Sequence, residues 1–285
     1  MSEQERTRCQ PAGAMRASLV SAGCFLRGVP LFFSQAPRTP LRVLGIIALD
    51  TLHVLRHSRP MPRQRVHDLA LFLDIEGCAN RAWDHKDLCA ASYRTLRQRL
   101  ERAGLGSCLS AYLDRLRELE GRRPSIGGDH RRADGVRSYR EAVARLSIAT
   151  AAAIALNDDC RAEHVHAAQS DADVDTLFRI LMQCQIIDDV LDYGEDLAAG
   201  LPSFLTAPAS LTQAMASTAN AARSYARDGG PSSTNAVFPL RMTLRIVSAV
   251  AMLVIRAADP RHRHAQQFAQ SAETAGNVAE VKVGR

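Results

Sequence analysis

Residues 171–196 read DADVDTLFRILMQCQIIDDVLDYGED, and the patterning of this stretch decides the fold. It opens on Asp171, Asp173 and Asp175, the residue type that caps and charges a helix N-terminus. Apolar residues then recur at intervals of three and four, the period of an α-helix. At about 100° per residue, Val174, Leu177, Leu181 and Cys184 share one face, and Asp188, Asp192 and Glu195 continue that stripe. An apolar face that turns acidic is expected to carry carboxylates toward an interior. Left ionised and unpaired there, each would cost several kcal/mol, so cations, arginines or a wet cavity must meet them. Magnesium (Mg²⁺) is a natural answer, being hard, oxygen-seeking and commonly shared between one or two carboxylates and substrate phosphates. Gln185, Asp188, Asp192 and Asp196 follow one another at three, four and four beside the stripe, among Ile186, Ile187, Val190 and Leu191.

The same periodicity runs outward in both directions. Helices are expected near 41–56, 66–86, 90–104, 107–120, 136–157, 171–197, 210–228 and 236–258, and no stretch alternates as a strand does. Breaks fall where turn residues gather: Ser58 to Pro62, Gly121 to Gly135, Gly200-Leu201-Pro202 and Gly229-Gly230-Pro231. The expectation is an N-terminal extension over 1–40, an all-α domain over 41–260 and a polar tail over 261–285.

Composition bounds the function. With 285 residues, 46% hydrophobic and 23% charged, the chain can bury a sizeable core, which excludes a disordered or collagen-like molecule. Val43–Leu49 and Ile246–Ile255 fall short of the roughly 18 apolar residues of a spanning helix, so at most peripheral membrane contact is expected. The net charge is +6, and every basic residue except Lys86 and Lys282 is arginine, a bias of composition more than of a partner. No zinc-finger spacing, basic helix or aromatic RNA motif accompanies it, which sets nucleic acid aside. The seven cysteines contain no C-x-x-C, which fits a reducing cytoplasm. Between Glu5 and Asp50 no acid occurs while six arginines do, a bias shared with transit peptides and read here as an irregular extension.

Gln185-Ile186-Ile187-Asp188-Asp189-Val190-Leu191-Asp192 resembles the second aspartate-rich motif of trans-prenyl diphosphate synthases, Q-x-x-D-D-x-x-D. Its continuation through Glu195, Asp196 and Gly200 is similar in spacing to the later acidic motif of squalene and phytoene synthases. The resemblance implies the class I terpenoid synthase fold, a helical bundle around a cavity where two facing acidic helices hold Mg²⁺ against a prenyl diphosphate. It also implies Asp188, Asp189, Asp192, Glu195 and Asp196 as ligands on one side.

The facing side has two candidates. Glu76, Asn80, Asp84 and Asp87 make a polar stripe at four, four and three on a helix whose other faces carry Leu71, Phe72, Ile75, Ala79 and Trp83. Asp50, followed by Leu55-Arg56-His57-Ser58-Arg59-Pro60, resembles the arginine-rich end of the first prenyl-synthase motif but offers a single acid. Because a cation cluster needs more than one carboxylate from each side, Glu76, Asn80 and Asp84 are the expected partners of Asp188. Arg140 is the first choice for a diphosphate clamp, ahead of Arg145 and Arg94, and its helix continues into small residues that would leave room on one face. Arg56 and Arg59 join it as substrate contacts through the resemblance. Phe72, Phe178, Phe204 or Phe238 could face an allylic cation, and Cys160, His164 and His166 read as loop.

The function expected is Mg²⁺-dependent prenyl transfer or coupling with loss of diphosphate. The alternatives are a terpene synthase acting on one prenyl diphosphate, a non-catalytic helical partner subunit, and an unrelated bundle with an acidic surface. A homodimer is the expected assembly.

Overall fold

Helix α1 (Pro40–His57) starts on a proline, whose fixed φ and missing N–H suit the first helical position. In the computed structural model, which describes residues 40–85, 90–124, 130–156, 164–165, 168, 170–208, 210–227 and 240–259, it is followed by α2 (Arg63–His85), α3 (Ala90–Arg102), α4 (Gly106–Glu120) and α5 (His130–Leu156). Then come α6 (Ala172–Leu191), α7 (Tyr193–Ala199), α8 (Leu211–Ala226) and α9 (240–259). No strand occurs among the described residues, so the chain is all-α as its periodicity required. The extension before Pro40, the tail after Asp259, and Lys86, Asp87, Cys160, His166 and Phe238 lie outside the described residues.

The chain divides into two units. The first holds α1 to α4, α5 from Ser138 and α6 as far as Leu181. Here α2 packs against α1 and α3, and α3 against α4. Leu49, Leu52, Leu69, Phe72, Ile75, Leu100, Tyr112 and Leu116 form its core, with Phe72 edge-on to Tyr112 at 4.9 Å between ring centroids. The small residues of α5, Ala149 and Ala151 to Ala155 apart from Ile154, are all buried. Instead of leaving room on one face, they are filled against, since small side chains let helices approach closely.

The second unit takes in Met182–Arg227 and the chain from Ile246. Gln183, fully buried, donates from Nε2 to the Ala222 carbonyl at 2.8 Å and to Ser248 Oγ at 2.9 Å, tying α6, α8 and α9 together. Arg137 donates to Ser224 Oγ at 2.9 Å and lies over the Tyr225 ring.

Two kinds of departure from the periodicity occur. In the first, helices start early: the one expected from residue 66 begins at Arg63, and the one expected from residue 136 begins at His130, so Gly135 lies inside a helix. A glycine costs about 1 kcal/mol there, which neighbouring helix formers and packing can offset. The second departure bears on the site. The expected 171–197 helix is interrupted at Asp192, whose φ of −98° and ψ of 13° leave helical geometry. The backbone N–H groups of Glu195 and Asp196 both return to the Asp192 carbonyl at 2.9 Å, starting α7. Gly194 just inside the restart weakens continuation, and Gly200, left-handed at φ 68°, ends α7 with the Leu201 N–H bonded to the Asp196 carbonyl.

Candidate functional site

In the second unit, the residues of the motif part into three groups. Asp188, Asp192 and Glu195 are exposed, Gln185 and Asp196 are partly buried, and Asp189 is 3% exposed. The stripe expected to point inward therefore rises to the surface at its C-terminal end, because Met182, Ile186 and Val190 form the buried face there. The carboxylate that does go inside is Asp189, one residue off the stripe. Its Oδ2 accepts the Phe204 N–H at 2.7 Å, holding the turn in which Ser203 N–H meets Thr206 Oγ1 at 2.8 Å. Asp189 thus anchors residues 201–207, where the resemblance assigned it to metal. Beside Asp188 sits Cys184, whose thiol is pushed up by burial and then by the Asp188 charge.

In the first unit, the candidates for the facing motif have protein partners. Asp84 Oδ1 lies 2.7 Å from Arg123 Nη2. Glu76 is partly buried, and desolvation holds its carboxyl above the ordinary glutamate range despite the Ser147 hydroxyl bonded to it. Asn80 is exposed. Asp50, the rival, is buried and accepts the Met61 N–H at 2.9 Å, closing the link between α1 and α2.

The arginines divide likewise. Arg56 Nη2 reaches Asp171 Oδ1 at 2.6 Å and Asp173 Oδ2 at 2.7 Å, and Arg145 Nη1 reaches Asp175 Oδ1 at 3.2 Å while lying 3.8 Å over the Phe178 ring. Both serve the N-terminus of α6, where Asp171 also caps the N–H groups of Asp173 and Val174. Burial alone would raise the Asp171 carboxyl, but Arg56 and these two N–H groups outweigh it and hold it below the usual range. Arg59 is exposed and gives its carbonyl to His53 Nδ1 at 3.0 Å; Arg140 is partly buried on α5. Arg94 Nε bonds to the Ala90 carbonyl on its own helix.

A polar network that the sequence reading passed over joins these residues. Glu120, nearly buried, accepts from the Tyr139 hydroxyl at 2.7 Å and lies 3.5 Å from Arg123 Nη1, so one guanidinium serves both Glu120 and Asp84. Burial and the bond to Glu120 push the Tyr139 phenol up. Tyr112 Oη sits 3.4 Å from Ser147 Oγ, and burial followed by the Glu76 charge pushes that phenol up too. The signal was available: Leu109, Tyr112, Leu116 and Glu120 step along α4 at three, four and four, an apolar stripe that ends in an acid.

The donor chemistry of Asp188, Asp192 and Glu195 fits a hard divalent cation: all three carboxylates are exposed to solvent. Glu76 and Asp84 fit poorly, one biased toward its neutral form and the other committed to arginine. Among the described residues no three His, Cys, Asp or Glu side chains converge to hold a metal ion. Set against known proteins, the chain matches no family model, no curated protein and no solved structure.

Proposed function

We propose that the chain is a Mg²⁺-dependent enzyme of isoprenoid biosynthesis, a terpenoid-synthase-like helical bundle that acts on an allylic prenyl diphosphate with loss of diphosphate. One observation carries the reading: Asp188 and Asp192 stand exposed after Gln185 in the Q-x-x-D-D-x-x-D register, with Glu195 exposed on α7, while their neighbour Asp189 is held inside. Asp188 and Asp192 would share the cation with the phosphates of the substrate, with Glu195 and Asp196 following on α7. When bound, Mg²⁺ would offset the charge that grows on the departing diphosphate. Gln185 is the group assigned to orient the diphosphate; Arg56 and Arg145 hold the N-terminal end of α6.

A second reading has its own observation. Arg123 on Asp84 and the Ser147 hydroxyl on Glu76 occupy the acids that a facing motif would need, which favours a non-catalytic helical partner of such an enzyme.

Purified protein with Mg²⁺ is incubated with geranyl, farnesyl or geranylgeranyl diphosphate, each with and without isopentenyl diphosphate. Diphosphate release and a prenyl product that needs isopentenyl diphosphate mean elongation, and a product without it means coupling or cyclisation. The Asp188→Ala/Asp192→Ala variant is expected to lose release by at least about a hundredfold. Release at the parental rate in that variant rejects the site, and an inactive parent that activates a second chain establishes the partner reading.

A further inference from the structure

Helix α9 carries two apolar stripes on opposite sides. One is buried: Leu240, Leu244, Ser248, Ala251 and Ile255, at four, four, three and four. The other is Met242, Ile246, Val250 and Leu253, at four, four and three, exposed by 47%, 55%, 42% and 66%. At about 100° per residue these four fall within an arc of roughly 80°, a continuous strip along the helix. Scattered exposed apolar residues need no explanation, whereas a continuous strip of large ones opposite a buried stripe marks a face that something covers.

The charge beside the strip identifies the cover. Arg245 and Arg256 flank it on one edge and both are exposed, and from Leu240 to Ala258 no acidic residue occurs. Arg261 and Arg263 follow within five residues in the sequence. A second copy laid on this strip would bring the arginines of both chains together with Asp259, at the end of the helix, as the one carboxylate of α9, which is unfavourable in a desolvated contact. A surface with apolar depth and negative charge at its boundary suits both features. No helix among the described residues is long and apolar enough to cross a membrane, so α9 would lie along such a surface. We infer that the Met242–Leu253 strip of α9 is a docking face for anionic lipid, with the apolar side chains entering the headgroup boundary and Arg245 and Arg256 meeting lipid phosphates. The inference does not depend on the catalytic reading.

The test is flotation of the full chain with vesicles of phosphatidylcholine alone and of phosphatidylcholine mixed with phosphatidylglycerol. The parent is expected to float only with the anionic vesicles, and to release as salt is raised. Ile246→Ser/Leu253→Ser and, separately, Arg245→Gln/Arg256→Gln are each expected to weaken binding about tenfold while leaving the helical circular dichroism unchanged. Equal binding to both vesicles, binding to neither, or anionic binding that both variants retain overturns the inference, the last placing the contact on other arginines. A parent that ignores vesicles but elutes as a dimer, and becomes monomeric in Ile246→Ser/Leu253→Ser, overturns it in favour of a second copy.

Discussion

The two ends of α6 are built from the same residue and do opposite things. At the N-terminal end, Asp171, Asp173 and Asp175 are met by Arg56, Arg145 and Arg179, and Asp171 also takes two backbone N–H groups. At the C-terminal end, Asp188 and Asp192 stand exposed, and Asp189 is spent on a backbone N–H. A carboxylate at a helix N-terminus is favoured by the unpaired N–H groups and the helix dipole; at a C-terminus it faces unpaired carbonyls and the wrong end of that dipole. Acids at the first end thus stabilise the fold. Acids at the second end lack that support from α6, although Asp192 also opens α7.

The sharpest way to break this contrast is through its exception. Asp189 is buried at the C-terminal end against the Phe204 N–H, so Asp189→Ala is expected to cost about 3 kcal/mol, because a buried N–H loses its acceptor. Urea unfolding measures it. Asp189→Asn keeps an oxygen for the Phe204 N–H and should cost about 1 kcal/mol; an equal loss in both variants would mean that the charge, not the bond, holds the turn.

A smaller effect is expected at the other end. Arg56→Ala removes the cation shared by Asp171 and Asp173, partly exposed on all sides, at a cost of about 1–2 kcal/mol. The pH dependence fixes the mechanism. Asp171 has a folded pKa below its unfolded value, so its contribution is fully present above the ordinary carboxylate range, near about 4, and is lost as pH falls through the folded pKa. The stability gap between parent and Arg56→Ala should therefore be constant at neutral pH and close on acidification. A gap that persists in acid would assign the loss to packing of the arginine stem.

Smaller again is the expected cost of Asp188→Ala/Asp192→Ala, within about 0.5 kcal/mol, as for exposed substitutions away from buried networks. A variant this stable that has lost diphosphate release separates the two ends of α6 into fold and function. A large destabilisation would merge them.

The helical class and most boundaries were legible because apolar spacing at three and four is written along every element, and α6's N-terminus because Asp171 is a capping residue in a capping position. The direction of the acidic stripe was not. Extrapolating Val174, Leu177 and Leu181 at a fixed angle assumes the same side of the helix stays covered along its length, and on α6 the covered side becomes Met182, Ile186 and Val190. On α4 the extrapolation holds, and Glu120 is buried where Leu109, Tyr112 and Leu116 lead. Which stripe keeps its cover depends on the neighbouring helices, and one helix's sequence does not contain them. The partners of Asp84 and Glu76 were hidden for the same reason: Arg123 and Ser147 lie on other elements.

The smallest effect is also the most direct probe of whether Asp188 is available to a cation. Its charge is one of the two causes that raise the Cys184 thiol, the larger being burial. Thiolate is the reactive form, so Asp188→Asn should raise the alkylation rate of Cys184 at about pH 8. Mass spectrometry of the Cys184 peptide reads it, with buried Cys78 and Cys108 as internal references. Mg²⁺ bound at Asp188 would neutralise the same charge, so adding it to the parent should reproduce the effect of the substitution and do nothing further in Asp188→Asn. Sodium chloride at matched ionic strength separates binding from screening. If Mg²⁺ and sodium act alike, the exposed Asp188 holds no cation by itself, and any metal site must be completed by substrate or by another chain.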